Sequence, residues 1–165
     1  MRLSRRQLLH TGLLGGLTLA VAGRLALPPA APGFAANVAD RQLITVLARG
    51  MLGPLPASGP LQVTGNVLAA IDSLPLALQT ELRQLFDLLQ QPLARRLLAG
   101  VAAPWQDASD EDVRAFLQRW RHSRLSLLRS GYQALHSLLY AAWYGDAASW
   151  PGIDYRLPPT MKGLL

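Results

Sequence analysis

The sequence predicts an all-α protein, a small helical bundle behind an N-terminal leader. Two observations lead there. Apolar residues recur at three- and four-residue spacing through most of the chain, and no run of alternating residues is long enough for a sheet. Prolines and glycines cluster between the periodic stretches, where they mark loops. Of the 165 residues, positions 1–35 read as the leader and 36–165 as a single helical domain with an irregular tail from about 145 to 165. About 130 residues suffice for one domain with one core.

The leader opens with Arg5 and Arg6, set behind Ser4 and ahead of Leu8 and Leu9. This resembles the twin-arginine pattern S-R-R-x-[FL]-L-K, with His10 where lysine is common. The segment 11–23 carries no charge, but Gly12, Gly15, Gly16 and Gly23 dilute it and Arg24 ends it. A spanning helix needs roughly 20 apolar residues, and glycine weakens a helix. The layout is that of a twin-arginine export signal, which predicts delivery to the periplasm by the twin-arginine translocase. The other readings are an ordinary secretory signal that contains Arg-Arg, or a short membrane anchor. The twin-arginine route carries folded proteins, and the usual reason to fold first is a cofactor or a partner. Gly33 and Ala35 place small residues at −3 and −1 of a cut before Ala36. Ala20 and Ala22 offer the same spacing inside the apolar run.

The domain then reads as a series of helices. Leu43, Ile44, Leu47 and Met51 mark a first helix over 40–51. Gly53 to Pro60 is a loop, since its prolines cannot join a helix ladder. Val63, Val67, Leu68 and Ile71 mark a short second helix ending near Ser73. Pro75 suits the first turn of a third helix. Its stripe is Leu78, Leu82, Leu85, Phe86 and Leu89, with Gln79, Arg83, Gln84 and Asp87 on the wet face. Pro92 stops it, and 93–99 make one or two further turns before Gly100. Ser109 caps the last long element, and Asp110, Glu111 and Asp112 complement its dipole. From Val113 the stripe runs through Phe116, Leu117, Trp120, Leu127, Leu128, Leu135 and Leu138 to Ala142.

Composition narrows the function. Net charge is +6, but Arg2, Arg5, Arg6 and Arg24 carry four of those charges with no acid before Asp40. The remainder, with twelve basic and ten acidic residues, does not have the basic excess of a nucleic-acid binder. There is no cysteine. That excludes disulfides, cysteine-held iron–sulfur or zinc sites and C-x-x-C-H haem attachment. No G-x-G-x-x-G, G-x-S-x-G or H-E-x-x-H occurs, so no enzyme signature is legible and no cofactor or metal is expected in this chain.

Two features of the last element stand out. Arg124 falls inside its apolar stripe. It is a side chain that snorkels to the rim, a residue turned outward by a break in the helix near Ser123, or a partner for a carboxylate on another subunit. The opposite face is basic first, with Arg114, Arg121 and Arg129, and then carries Tyr132, His136, Tyr140, Trp143 and Tyr144. A helix that is apolar or aromatic on all sides is central to its own core or covered by something else. Exposed Tyr and Trp clusters make interface hot spots. His136 is read as a packing residue and His122 as solvated.

The stretch 142–155 resembles the tail of gluconate 2-dehydrogenase subunit 3-like proteins. Their ending is a long helix, an aromatic-Tyr-Gly/Ser-Asp-Pro-x-x-Trp turn and then Ile-Gly-Tyr-Pro-Gly-Pro. Trp143, Tyr144, Gly145, Asp146, Trp150, Ile153 and Tyr155 match. Trp120, Ser123 and Arg129 sit where that family has W-x-x-S and a later arginine. Ala147 replaces the usual proline, Asp154 a glycine, and Arg156 with Leu157 a Pro-Gly pair. The match covers the leader and the C-terminal third, with the middle following by helical pattern only. The resemblance implies a non-catalytic small subunit that escorts a signal-less, FAD-dependent dehydrogenase of the glucose-methanol-choline type through export. FAD would belong to that partner, and a membrane cytochrome c subunit is a further expected partner. The expected interface comprises Arg124, Tyr132, His136, Tyr140, Trp143, Tyr144, Trp150 and Tyr155. The alternative is an exported helical binding or structural protein without a dehydrogenase partner.

Overall fold

In the computed structural model, which describes residues 32–147 and 149–150, the first helix begins at a reciprocal cap. The Asn37 side chain accepts from the Asp40 N–H at 2.9 Å, and the Asp40 carboxylate accepts from the Asn37 N–H at 2.8 Å. Two otherwise orphaned donors are thus satisfied where helix α1, Val38–Leu52, starts. Its residues Leu43, Ile44, Val46, Leu47 and Ala48 are all buried. They can be, because α1 is the hub of the bundle and packs against every other long helix.

Those partners are α2, Gly59–Asp72; α3, Leu76–Gln90; α5, Asp110–Arg121; and α6, Ser126–Tyr144. The sixth helix, α4, is the single turn Pro92–Ala94, which runs into a wide π-type turn at Arg95–Ala99. Among the described residues there is no strand, and the fold is the all-α bundle expected. No described helix is long and apolar enough to cross a membrane. The leader residues Ser4, Arg5, Arg6, Leu8 and Leu9 lie outside the described residues, as do the tail residues Ile153 and Tyr155.

Gly50 sets the crossing of α1 and α5. A Cβ at that position would lie 2.5 Å from Val113 Cγ1, so only glycine lets the two backbones approach this closely. Near the same crossing, Trp105, Phe116 and Trp120 pack in series, the first pair tilted and the second edge to face, with ring centroids 5.6 and 4.8 Å apart. Each indole N–H has a carbonyl partner: Trp105 donates to Leu89 and Trp120 to Leu98. Buried tryptophans need such partners. The Trp120 bond, with a short one from Arg119 to the Ala99 carbonyl, fastens the 95–99 turn to α5. Trp105 had given no periodic signal in the sequence, because it lies in the three-residue turn Trp105–Asp107.

Four expectations are corrected. Pro60 belongs to α2, in the first turn, where a missing N–H costs nothing. Arg83 is not on a wet face: it is buried and grips Asp40 through Nη1 at 2.6 Å and Nη2 at 2.7 Å. Burial by itself would raise the Asp40 carboxyl, but Arg83, the Asn37 N–H and Gln90 outweigh it and hold it below the usual carboxylate range. The last long element is two helices. Ser123 Oγ accepts from the Leu125 N–H, and Arg129 Nη1 bonds the Ser123 and Arg124 carbonyls, so the chain can turn between α5 and α6. Finally, the folded unit starts before residue 36. Phe34 lies in the core, edge-on to Phe86 at 5.1 Å, with the Arg83 guanidinium 4.8 Å above its ring.

Candidate partner interface

Helix α6 packs one side against α2 and α5 through Ala134, Leu135, Leu138, Leu139 and Ala142. Residues four apart on a helix stack one above another. Tyr132, His136, Tyr140 and Tyr144 therefore form a single row along its outer flank. Successive ring centroids are 5.6, 4.0 and 5.4 Å apart, and the His136 and Tyr140 planes are only 16° from parallel. Tyr132 leans on the core, His136 and Tyr140 are half-buried, and Tyr144 is exposed. The row is fixed rather than draped, because the Tyr140 hydroxyl donates to the Met51 carbonyl at the end of α1, at 3.2 Å.

At two members of the row the surroundings favour the neutral form. Burial pushes His136 below its ordinary value, and the Arg121 charge at the end of α5 pushes the same way. Burial also raises Tyr140, with Tyr144 and Tyr132 adding to it against Arg121. The result is a strip of flat apolar faces with polar edges, the surface chemistry that anchors protein partners. Among the described residues no group of three or more His, Asp or Glu could hold a metal ion.

The turn after α6 is built by two amides from α2. Gln62 Nε2 and Asn66 Nδ2 donate to Asp146 Oδ2 at 2.9 and 2.7 Å, and Asn66 also caps the Ala142 carbonyl. Asp146, one of the residues behind the resemblance, is thus a structural pin. The turn brings Trp150 back so that its indole N–H donates to the Tyr144 carbonyl at 3.3 Å. Trp150 therefore sits beside the exposed end of the row.

Two expected interface residues are placed elsewhere. Trp143 is buried in the core; three residues from Tyr140, it lies about 60° around the helix from it, toward the packed side. Arg124 is exposed in the connection between α5 and α6, outside the stripe, because the helix breaks before it. The structure brings together Tyr132, His136, Tyr140, Tyr144 and Trp150. Neither protein-family models, nor curated proteins, nor solved structures give a significant match to this chain.

Proposed function

We propose that this chain is the non-catalytic small subunit and export escort of a signal-less, FAD-dependent dehydrogenase of the glucose-methanol-choline type, carried to the periplasm by the twin-arginine route. The observation that carries the reading is a combination. Arg5 and Arg6 form the pattern of a signal for folded cargo, and the domain behind it offers an ordered aromatic row, Tyr132 to Tyr144. The resemblance of the Trp143 to Tyr155 stretch supplies the partner class. Held on α6 and anchored to Met51, the row loses little freedom on docking, which favours its use as an anchor.

The test is to look in the neighbouring reading frames for a flavoprotein without a signal of its own and to co-express it with this chain. Arg5→Lys with Arg6→Lys traps both proteins in the cytoplasm, because the translocase reads the arginine pair. Tyr144→Ala leaves the fold intact and weakens capture of the flavoprotein by on the order of 2 kcal/mol, about thirty-fold in Kd. Normal periplasmic levels of the double-lysine variant overturn the export route. Unchanged capture by Tyr144→Ala and Tyr140→Ala overturns the interface.

A further inference from the structure

Residues 33–35 look in the sequence like the last residues of a cleaved leader, and in the structure they are part of the fold. The Gly33 N–H donates to Thr80 Oγ1 at 3.1 Å and the Phe34 N–H to Gln79 Oε1 at 3.3 Å. The Ala35 carbonyl accepts from Arg83 Nη1 at 3.5 Å. The Phe34 ring is buried between Phe86 and the Arg83 guanidinium. All three residues are thereby strapped across α3.

A leader peptidase hydrolyses an amide whose −3 to +1 residues lie extended in its groove, with small side chains at −3 and −1. For the bond between Ala35 and Ala36, that groove would need Gly33, Phe34 and Ala35 lifted off α3. Gly33 is also not extended: its φ is +91°, a region that L-residues rarely adopt. Its small size has a cause within the fold, since a Cβ there would meet Leu76 Cδ1 at 3.3 Å. The feature that suggested a −3 position is accounted for by packing.

We propose that residues 33–35 are a docked strap that closes the bond between Ala35 and Ala36 to leader peptidase, so that the mature chain retains Phe34 and any processing cut lies ahead of Gly33. The inference rests on the export reading only for the existence of a processing step. A chain that reaches the translocase already folded presents the strap docked, and hydrolysis by water at this bond then requires local opening first.

The test uses purified full-length chain and leader peptidase in detergent, with new N-termini read by mass spectrometry. The parent chain yields the product beginning at Ala36 only slowly, through local opening. Phe34→Ala leaves the −3 and −1 residues untouched but undocks the strap, and the Ala36 product appears at least about ten-fold faster. Because Phe34→Ala can disturb the core, Gln79→Ala with Thr80→Ala provides a second variant. It removes the two N–H acceptors, together with the bonds those side chains donate to the Asp72, Leu74 and Leu76 carbonyls, leaves the Phe34 ring in place and is expected to speed the same cut. Equal rates for parent and variants overturn the proposal, as does absence of the Ala36 product from all of them, since docking would then not be what guards the bond. In cells, periplasmic molecules that begin at or before Gly33 support it, and an N-terminus at Ala36 overturns it. Whole chain found only in the cytoplasm overturns the export reading instead, and the purified-chain assay still decides the strap.

Discussion

Replacing Asp40 with alanine tests whether one buried carboxylate joins α1 to α3. Asp40 is 0 % exposed and accepts from four donors: Arg83 Nη1 at 2.6 Å, Arg83 Nη2 at 2.7 Å, Gln90 Nε2 at 2.6 Å and the Asn37 N–H at 2.8 Å. The variant leaves the Arg83 charge buried with one remaining carboxylate, Asp87 at 2.7 Å, whose side chain is 38 % exposed. Breaking a buried pair from one side costs about 3–5 kcal/mol, and losing one acceptor of a helix cap costs about 1 kcal/mol. The two terms share an oxygen and do not add in full, and Asp87 softens the first. The expected loss is about 3 kcal/mol, a large part of the roughly 5–15 kcal/mol that stabilises a domain. Urea unfolding followed by circular dichroism measures it. Asp40→Leu combined with Arg83→Met recovers most of the loss, because no charge is then left buried. A cost for Asp40→Ala below about 1 kcal/mol, the value of a surface pair, refutes the reasoning.

Trp143→Ala unfolds or severely destabilises the domain by about 3–5 kcal/mol, whereas Tyr144→Ala, one residue on but exposed, changes stability by only about 0.5 kcal/mol; thermal melts of the pair check the split between core and row. Gly50→Val drives side-chain atoms into Val113 and costs about 1–3 kcal/mol through overpacking, read as a lower urea midpoint. Acid acts in two stages. Burial and then Arg121 lower the pKa of His136 in the fold, so its contribution is intact above the ordinary value of 6.5 and is lost as pH falls below it. Asp40, also lowered, adds a second loss as pH falls below 3.8. His136→Gln removes the first stage and leaves the second, a difference visible in urea midpoints measured between pH 8 and pH 3 on the scale set by those two values.

The features legible in the sequence are those whose cause is local. The stripe of α3, Leu78, Leu82, Leu85, Phe86 and Leu89, is buried as its spacing requires, because a helix fixes the angle between its own residues whatever it packs against. The Ser109 cap is of the same kind: its Oγ accepts from the Asp112 N–H three residues on, at 3.1 Å. The aromatic row could be read as a row, since four-residue spacing alone aligns Tyr132, His136, Tyr140 and Tyr144.

Only the tertiary structure decided which sides of those helices meet something. Arg83 falls beside the apolar stripe of α3, and whether that flank is wet depends on Asp40 and Phe34, 43 and 49 positions earlier in the chain, arriving against it. Periodicity in one segment carries no record of a partner in another. The same limit hid the start of the fold, where Gly33 reads as a cleavage residue until Leu76 and Thr80 are seen packed against it. It also hid the hub. The α6 sequence is aromatic enough to be central, yet α1 takes that place, and its Gly50 admits α5 closely. With α1 at the centre, α6 is left on the outside of the bundle. That placement, and not its composition, is why Trp143 is buried while Tyr144 faces solvent.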